Sequence, residues 1–240
     1  MELKLLSYNI HKGFNWNRRR TTIQEIKETI YNLKIDIAFI QECVGEPQLK
    51  SLNQFEFLAD SIWSEFNDSQ NAAYSGHYHG NAILSKFPII KDTNIDISTN
   101  RFETRKLLHC EIQIPGTKQI IHAVCLHLSL WKIGRQKQYQ AILNYILKKI
   151  PPESPLIIAG DFNDWNKIAS FHLEEILGVK EVFRHTQGCY AKTFPSFLPF
   201  LSLDRIYIRH FHVNEVHLDL HSEVKHLSDH LPLATTIKFL

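Results

Sequence analysis

Leu156-Ile157-Ile158-Ala159-Gly160-Asp161-Phe162-Asn163-Asp164-Trp165-Asn166 is the stretch on which the reading of this chain turns. Leu156 to Ala159 are apolar throughout, the pattern of a short strand buried on both faces. Pro155 launches it, and Gly160 is expected to break it, since glycine accepts a sharp change of backbone direction. Asp161 and Asn163 then follow at i and i+2. A carboxylate and a carboxamide at the mouth of a buried strand stand where open α/β proteins place their chemistry. Taken alone, the same residues also suit a turn in which Asp and Asn bond their own backbone.

The 240 residues can bury a sizeable core and are expected to form one domain. Apolar and charged fractions are those of an ordinary soluble protein. A formal charge of +2 permits a polyanionic partner without demanding one, and fourteen histidines make the balance pH-sensitive. Cys43, Cys110, Cys125 and Cys189 are widely spaced, with no C-x-x-C, so buried thiols are expected rather than disulfides or zinc ligands. No run approaches the ~18 apolar residues of a membrane span, and Met1 leads into no signal-like segment. The expectation is a cytoplasmic monomer without a transmembrane segment.

Read in order, Leu3 to Ile10 is a strand ending in Tyr8-Asn9-Ile10-His11-Lys12-Gly13. After a basic loop carrying Arg18, Arg19 and Arg20, Thr22 and Glu25 suggest a capping box ahead of a helix with Ile23, Ile26, Ile30 and Leu33 on one face. The strand Ile35–Ile40 delivers Gln41 and Glu42. A helix over Leu49–Phe66 and a surface loop over Asn67–His79 are predicted next. Asn81–Leu84, Ile89–Ile97, Lys106–Ile114 and Ile120–His127 read as strands, with Pro115-Gly116 at a hairpin. Trp131 opens a basic helix whose stripe is Tyr139, Ile142, Leu143, Ile146 and Leu147. Ile168–Leu177 is helical, and strands return at Leu203–Ile208, Val213–Leu218 and Leu233–Phe239. Helices interleave with strands early, yet two long regions read as strands only. That excludes a fully alternating doubly wound sheet and favours two mixed sheets packed face to face with helices outside.

Each candidate polar residue falls at a strand end: Asn9, Glu42, His127, Asp161 with Asn163, Asp204, and Asp229 with His230. Hard oxygen ligands without cysteine point to Mg²⁺ or Mn²⁺ rather than zinc, and carboxylates, amides and imidazoles around such an ion suit attack of water on a phosphodiester. The successive motifs Ser7-Tyr8-Asn9, Gln41-Glu42, Gly80 to Ser85, Leu126-His127-Leu128, Gly160 to Asn163, Leu203 to Ile206 and Ser228-Asp229-His230 resemble those of the endonuclease/exonuclease/phosphatase superfamily, the DNase I-like phosphoesterases. The likeness runs in order from residue 7 to residue 230, and Thr193-Phe194-Pro195-Ser196 with His79-Gly80-Asn81 is similar to a small bacterial branch.

The resemblance implies a four-layer α/β sandwich, two packed mixed sheets flanked by helices. It implies a metal held chiefly by Glu42, with Asn9 and Asp229 near the ion. It implies Asp161 as the base that deprotonates water, Asn163 as a donor to the phosphoryl oxygens, and His230 on the phosphate, held by Asp204. His127 would be a second phosphate contact, with Arg105, Asn81 and His79 near the substrate. His79 stands where related nucleases carry a glutamate, so what orients His127 is left open. On their own residues, Asn9 reads as a turn cap, His127 as a core histidine and Asp204-Arg205 as a surface ion pair.

The function expected is a Mg²⁺- or Mn²⁺-dependent phosphodiester hydrolase on a nucleic acid, a phospholipid or a small diester. A catalytically inactive phosphate- or nucleic-acid-binding module of the same fold is the alternative. Arg18 to Arg20 and Lys132 to Lys137 would serve DNA phosphates. Thr193 to Leu203, with Trp16, Trp131 and Trp165, would instead form an apolar rim, while for the phenylalanines inward packing that shapes the core is the favoured expectation.

Overall fold

The structure, a computed structural model, describes residues 1–45, 53–60, 65–74, 77–218 and 223–240, with side chains set aside at 65–74, 77–78 and 168–171. The first sheet contains β1 (Glu2–Asn9), β2 (Ile37–Gly45), β3 (Glu65–Tyr74), β4 (His77–Ser85), β11 (Phe211–Leu218) and β12 (Leu233–Phe239), in the order β11-β12-β1-β2-β4-β3. The second contains β5 (Ile89–Asp96), β6 (Lys106–Gln113), β7 (Ile120–His127), β8 (Leu156–Asp161), β9 (Lys180–Glu181) and β10 (Asp204–Arg209), in the order β5-β6-β7-β8-β10-β9. Both are mixed. β1 runs parallel to β2 and β7 parallel to β8, and every other pairing is antiparallel.

The period-2 alternation of strand side chains explains why these strands read as unbroken apolar runs. Leu3, Leu5, Ile37 and Phe39 turn inward to meet Ala123, Cys125, Ile157 and Ala159 of the opposite sheet. Their neighbours turn outward. Leu6, Tyr8, Ala38 and Ile40 meet Ile26 and Ile30 of α1 (Ile23–Asn32) and Phe55 and Leu58 of α2 (Gln54–Ala59). Val124, Leu126, Leu156 and Ile158 meet α3 (Lys132–Lys149) and α4 (Ile168–Leu177) through Tyr139, Ile142, Ile146, Leu173 and Leu177. Helices, sheet, sheet and helices therefore form the four layers expected. A short α5 (Val182–Gln187) lies within the second region read as strands only, which corrects that reading.

Other local readings change as well. Thr22 precedes α1 but its side chain caps nothing; its hydroxyl donates to the carbonyl of Leu227 at 2.5 Å. Glu25 is held instead by Arg20. A tertiary bond has displaced the capping box. Glu65 and Phe66 belong to β3, and residues read as a surface loop form an antiparallel hairpin with β4. Of the helix read over Leu49–Phe66, Gln54–Ala59 form α2 and Glu65 and Phe66 fall in β3, while residues 49–52 and 61–64 lie outside those described. Leu147 of the α3 stripe is exposed.

Gly160 does not end β8. Its φ is +147°, and a Cβ there would lie 1.9 Å from the carbonyl oxygen of Leu126, so only glycine lets β7 approach. The strand runs on to Asp161.

Candidate active site

Strand direction decides what meets at the edge. The parallel strands β1, β2, β7 and β8 arrive there with their C-terminal ends, carrying Asn9, Glu42, His127 and Asp161. β4, β6, β10 and β12 run antiparallel to these neighbours and bring residues from their N-terminal halves or just before their starts: His79 and Asn81, Arg105, Asp204, and Asp229 with His230. The register makes the point, for Asp161 is paired with His127 on one side and with Asp204 on the other.

Asp161 lies at the centre and is 1 % exposed. Asn9 Nδ2 donates to its Oδ2 at 3.1 Å, and the backbone N–H of Asn163 donates to its Oδ1 at 2.9 Å. His127 Nε2 lies 3.5 Å and His230 Nε2 3.8 Å from the same Oδ2. Burial pushes the Asp161 carboxyl up to about 6, with Asp204 adding to the rise and His230 opposing it.

The two imidazoles are driven apart. His230 Nδ1 donates to Asp204 Oδ2 at 2.7 Å. Burial disfavours its charge, yet Asp204 and Asp161 prevail and raise it to about 10. His127 is held well below its ordinary range by burial, and then by Arg105 and His230. One imidazolium and one neutral imidazole thus face a single carboxylate.

Glu42 reaches the site through distorted backbone. It has φ +56°, inside the register shift between Ile40 and Cys43, and its Oε1 lies 3.5 Å from Asn9 Nδ2 and 4.0 Å from His127 Nε2. His11, Lys12 and Asn163 also have positive φ, so strained backbone gathers here, as it does at functional sites. Asn163 gives one amide hydrogen to the carbonyl of Leu128. Asp229 Oδ2 lies 3.7 Å from His11 Nε2, and Ser228 Oγ donates to the carbonyl of Asn9.

Arg105 is buried and donates to Glu103, and Asn81 donates to the carbonyl of Lys106. His79 is half-buried, lowered first by burial and then by Lys12, with Glu42 opposing. Asn81 Oδ1, Arg105 Nε, His127 Nδ1 and Asp204 Oδ1 are buried polar atoms without a protein partner among the described residues. Such a concentration is what a site awaiting a polar ligand displays. All eleven candidate residues are therefore at the edge.

Two partners were not singled out from sequence. Buried His11 accepts from Arg18 Nε at 2.9 Å, and Thr193 Oγ1 donates to Asp204 Oδ2 at 2.5 Å. His11 sits two residues beyond Asn9 and Thr193 in the Thr-Phe-Pro-Ser motif, so the motifs themselves were the signal. Asp204 and Arg205 do not pair with each other. Asp204 serves His230, while buried Arg205 reaches Asp164 and its carbonyl, bracing the turn after Asn163. A surface hollow beside Leu33, Phe183, Tyr190 and Val216 contains none of the candidate residues.

Asp161, Asp204 and His230 bring ligand-type atoms within 4.8 Å of one another. A protonated His230 donates through both ring nitrogens and has no lone pair for a metal, so this group is an ion-paired triad. Glu42, Asn9 and Asp229 carry oxygen donors of the hard type that a divalent cation takes.

The model of the Endonuclease/Exonuclease/phosphatase family matches residues 6–230. The chain is 37% identical over 242 residues to "Uncharacterized protein YbhP" of Escherichia coli strain K12, covering 98% of this chain and 95% of that protein. The YbhP of Shigella flexneri matches equally. Among solved structures, an endonuclease/exonuclease/phosphatase from Bacteroides vulgatus superposes with TM-score 0.80 at 16% identity over 100% of both chains. D. rerio TDP2 complexed with single strand DNA product superposes with TM-score 0.74 at 18% identity over 99% of both chains. This chain belongs to the endonuclease/exonuclease/phosphatase family.

Proposed function

We propose that this protein hydrolyses phosphodiesters with a divalent cation, Mg²⁺ or Mn²⁺, as cofactor. The observation that carries the reading is Asp161. It is a buried carboxylate gripped by Asn9 and by the Asn163 backbone, between an imidazolium and a neutral imidazole. A carboxyl raised to about 6 is ionised at neutral pH yet basic enough to take a proton from water. His230, charged and steadied by Asp204, meets the phosphoryl oxygen where negative charge grows. His127, Arg105, Asn81 and His79 line the opposite side and contact the ester. Asn163 keeps one amide hydrogen free for the same oxygens. Glu42, with Asn9 and Asp229, would hold the cation, which when bound polarises the phosphoryl group and offsets charge on the leaving oxygen.

An inactive binding module is the less favoured reading, because Glu42, Asp161 and His230 are all present and converge. The neighbour TDP2 carries a single strand DNA product, so nucleic acid belongs among the candidate esters. Two of the clustered arginines are already engaged, Arg18 with His11 and Arg20 with Glu25.

The test is turnover of a soluble bis-aryl phosphodiester by the full chain, with excess chelator and then with Mg²⁺ or Mn²⁺ restored. Turnover should vanish and return. Full activity in chelator would overturn the reading.

A further inference from the structure

The loops around the catalytic edge expose apolar side chains in two groups. The first stands beside His230: the Trp16 and Phe197 rings lie 5.2 Å apart, Leu198 and Phe200 are 67% and 61% exposed, and the Phe194 ring lies 5.0 Å from that of His230. The second stands beside His127, where Leu130, Trp131 and Ile133 are 54%, 71% and 70% exposed. The carbonyl of Leu128 accepts from Asn163, and the N–H of Leu130 donates to Glu103, which also holds Arg105. The expectation that the phenylalanines pack inward therefore fails for Phe197 and Phe200.

Neither group is a frayed end. Buried Arg135 donates to the carbonyls of Ser129 and Leu130 at 3.0 and 2.7 Å, propping up the second group from below. Nine of the 17 large hydrophobic residues exposed among the described ones fall within residues 12–20, 99–105, 128–137 and 194–203. The same segments contain nine of the chain's 27 Lys and Arg residues but one of its 25 Asp and Glu residues, Glu103. Arg105 and Arg135 are buried, whereas Arg19, Arg101, Lys132 and Lys137 are exposed, so these loops form a cationic, apolar rim around the acids Glu42, Asp161, Asp204 and Asp229 of the catalytic edge.

We propose that this edge docks on anionic phospholipid bilayers, the two apolar groups entering the interface on either side of Asp161 while the exposed Arg19, Arg101, Lys132 and Lys137 meet the lipid phosphates. Exposed Trp, Phe and Leu tips mixed with Lys and Arg are the composition that partitions into the headgroup region. Nucleic acid explains it less well. Bases stack on aromatic faces, and Leu130, Ile133 and Leu198 offer none. Resting on the phosphodiesterase reading, the proposal makes a lipid headgroup the ester brought to the site.

Sedimentation with vesicles tests it, in chelator so that no turnover occurs. The full chain should pellet with phosphatidylcholine vesicles containing phosphatidylglycerol, less with phosphatidylcholine alone, and less as salt is raised. Ile133→Asp combined with Leu198→Asp should lower partitioning at least ~10-fold, by removing buried hydrocarbon and adding charge. Both sites are exposed, so hydrolysis of the soluble diester should persist unchanged. Wild-type protein left in the supernatant with anionic vesicles, or a variant that pellets as well as wild type, overturns the proposal. So would a variant that loses single-stranded oligonucleotide binding while keeping vesicle binding, which would assign the face to nucleic acid. Vesicle binding that depends on Ile133 and Leu198 in a protein inactive on the soluble diester would leave the docking surface standing and sink the phosphodiesterase reading alone.

Discussion

Asp204 Oδ2 receives the Nδ1 proton of His230 at 2.7 Å, although the residues lie 26 apart in sequence and enter the site from different sheets. The same oxygen accepts from Thr193, so its position is fixed from two sides. Without this partner the His230 imidazolium would lose its largest support against burial and keep only Asp161 and Asp229, so its charged form would be weakened. Asp204→Asn should therefore lower kcat about 10²-fold or more, in the range assigned to losing an oriented acid–base group. Steady-state kinetics on the soluble diester, with circular dichroism to confirm folding, would show it. An unchanged kcat would mean that His230 needs no charge.

Asp161→Asn keeps the shape and removes the base, so turnover should fall at least ~10²-fold. Stability should move the other way. Because burial raises the Asp161 carboxyl to about 6, folding opposes its ionised form at neutral pH. The amide should melt at the same temperature or higher, as expected where function is held against stability. A marked fall in Tm would identify Asp161 as a structural anchor.

Glu42→Gln removes a charge from the proposed cation site and leaves the strand in place. The Mg²⁺ concentration for half-maximal activity should rise at least ~10-fold, one charged oxygen ligand being lost. Titration of activity against Mg²⁺ reads this directly. An unmoved midpoint would place the cation elsewhere.

Gly160→Ala tests the closeness of β7 and β8. The added carbon would overlap the Leu126 carbonyl, and the backbone at φ +147° strains any other residue. Destabilisation of about 3 kcal/mol or more is expected, the class of overpacking combined with backbone incompatibility. Urea denaturation would measure it, and a loss below ~1 kcal/mol would show that the strands can separate cheaply.

A buried histidine pair away from the site should govern acid sensitivity. His109 Nε2 lies 3.0 Å from His122 Nδ1, and His109 Nδ1 lies 2.9 Å from the Tyr145 hydroxyl. Burial lowers His109 to about 4, assisted by His122, and lowers His122 as well. Both are depressed below their unfolded value near 6.5, so the unfolded chain binds protons first. Stability is complete above about 6.5 and declines as pH falls toward 4, His109 accounting for up to about 3 kcal/mol of it. Melting between pH 7 and 5 should show this slope, and His109→Leu should flatten it. Equal slopes would exclude the pair as its source.

By itself the sequence determined what depends on neighbours along the chain. The two-sided apolar runs of β1, β2, β7 and β8, the spacing of Ile23, Ile26 and Ile30, and a polar residue at each strand end were all legible, because strand and helix periods are local properties. The seven motifs were legible for the same reason. Tertiary structure decided the rest. Polar β3 carries little apolar alternation and becomes a strand by pairing with β4, and Thr22 abandons its helix for Leu227. Glu42 turns into the site only through a register shift and a positive φ that no residue pattern announces. Asn9 holds Asp161 across 152 residues, and Asp204 chooses His230 over adjacent Arg205. Such choices arise when two sheets close on one another. Burial then raises the cost of any unpaired charge, and each buried polar group takes the partner that space supplies, however distant in sequence.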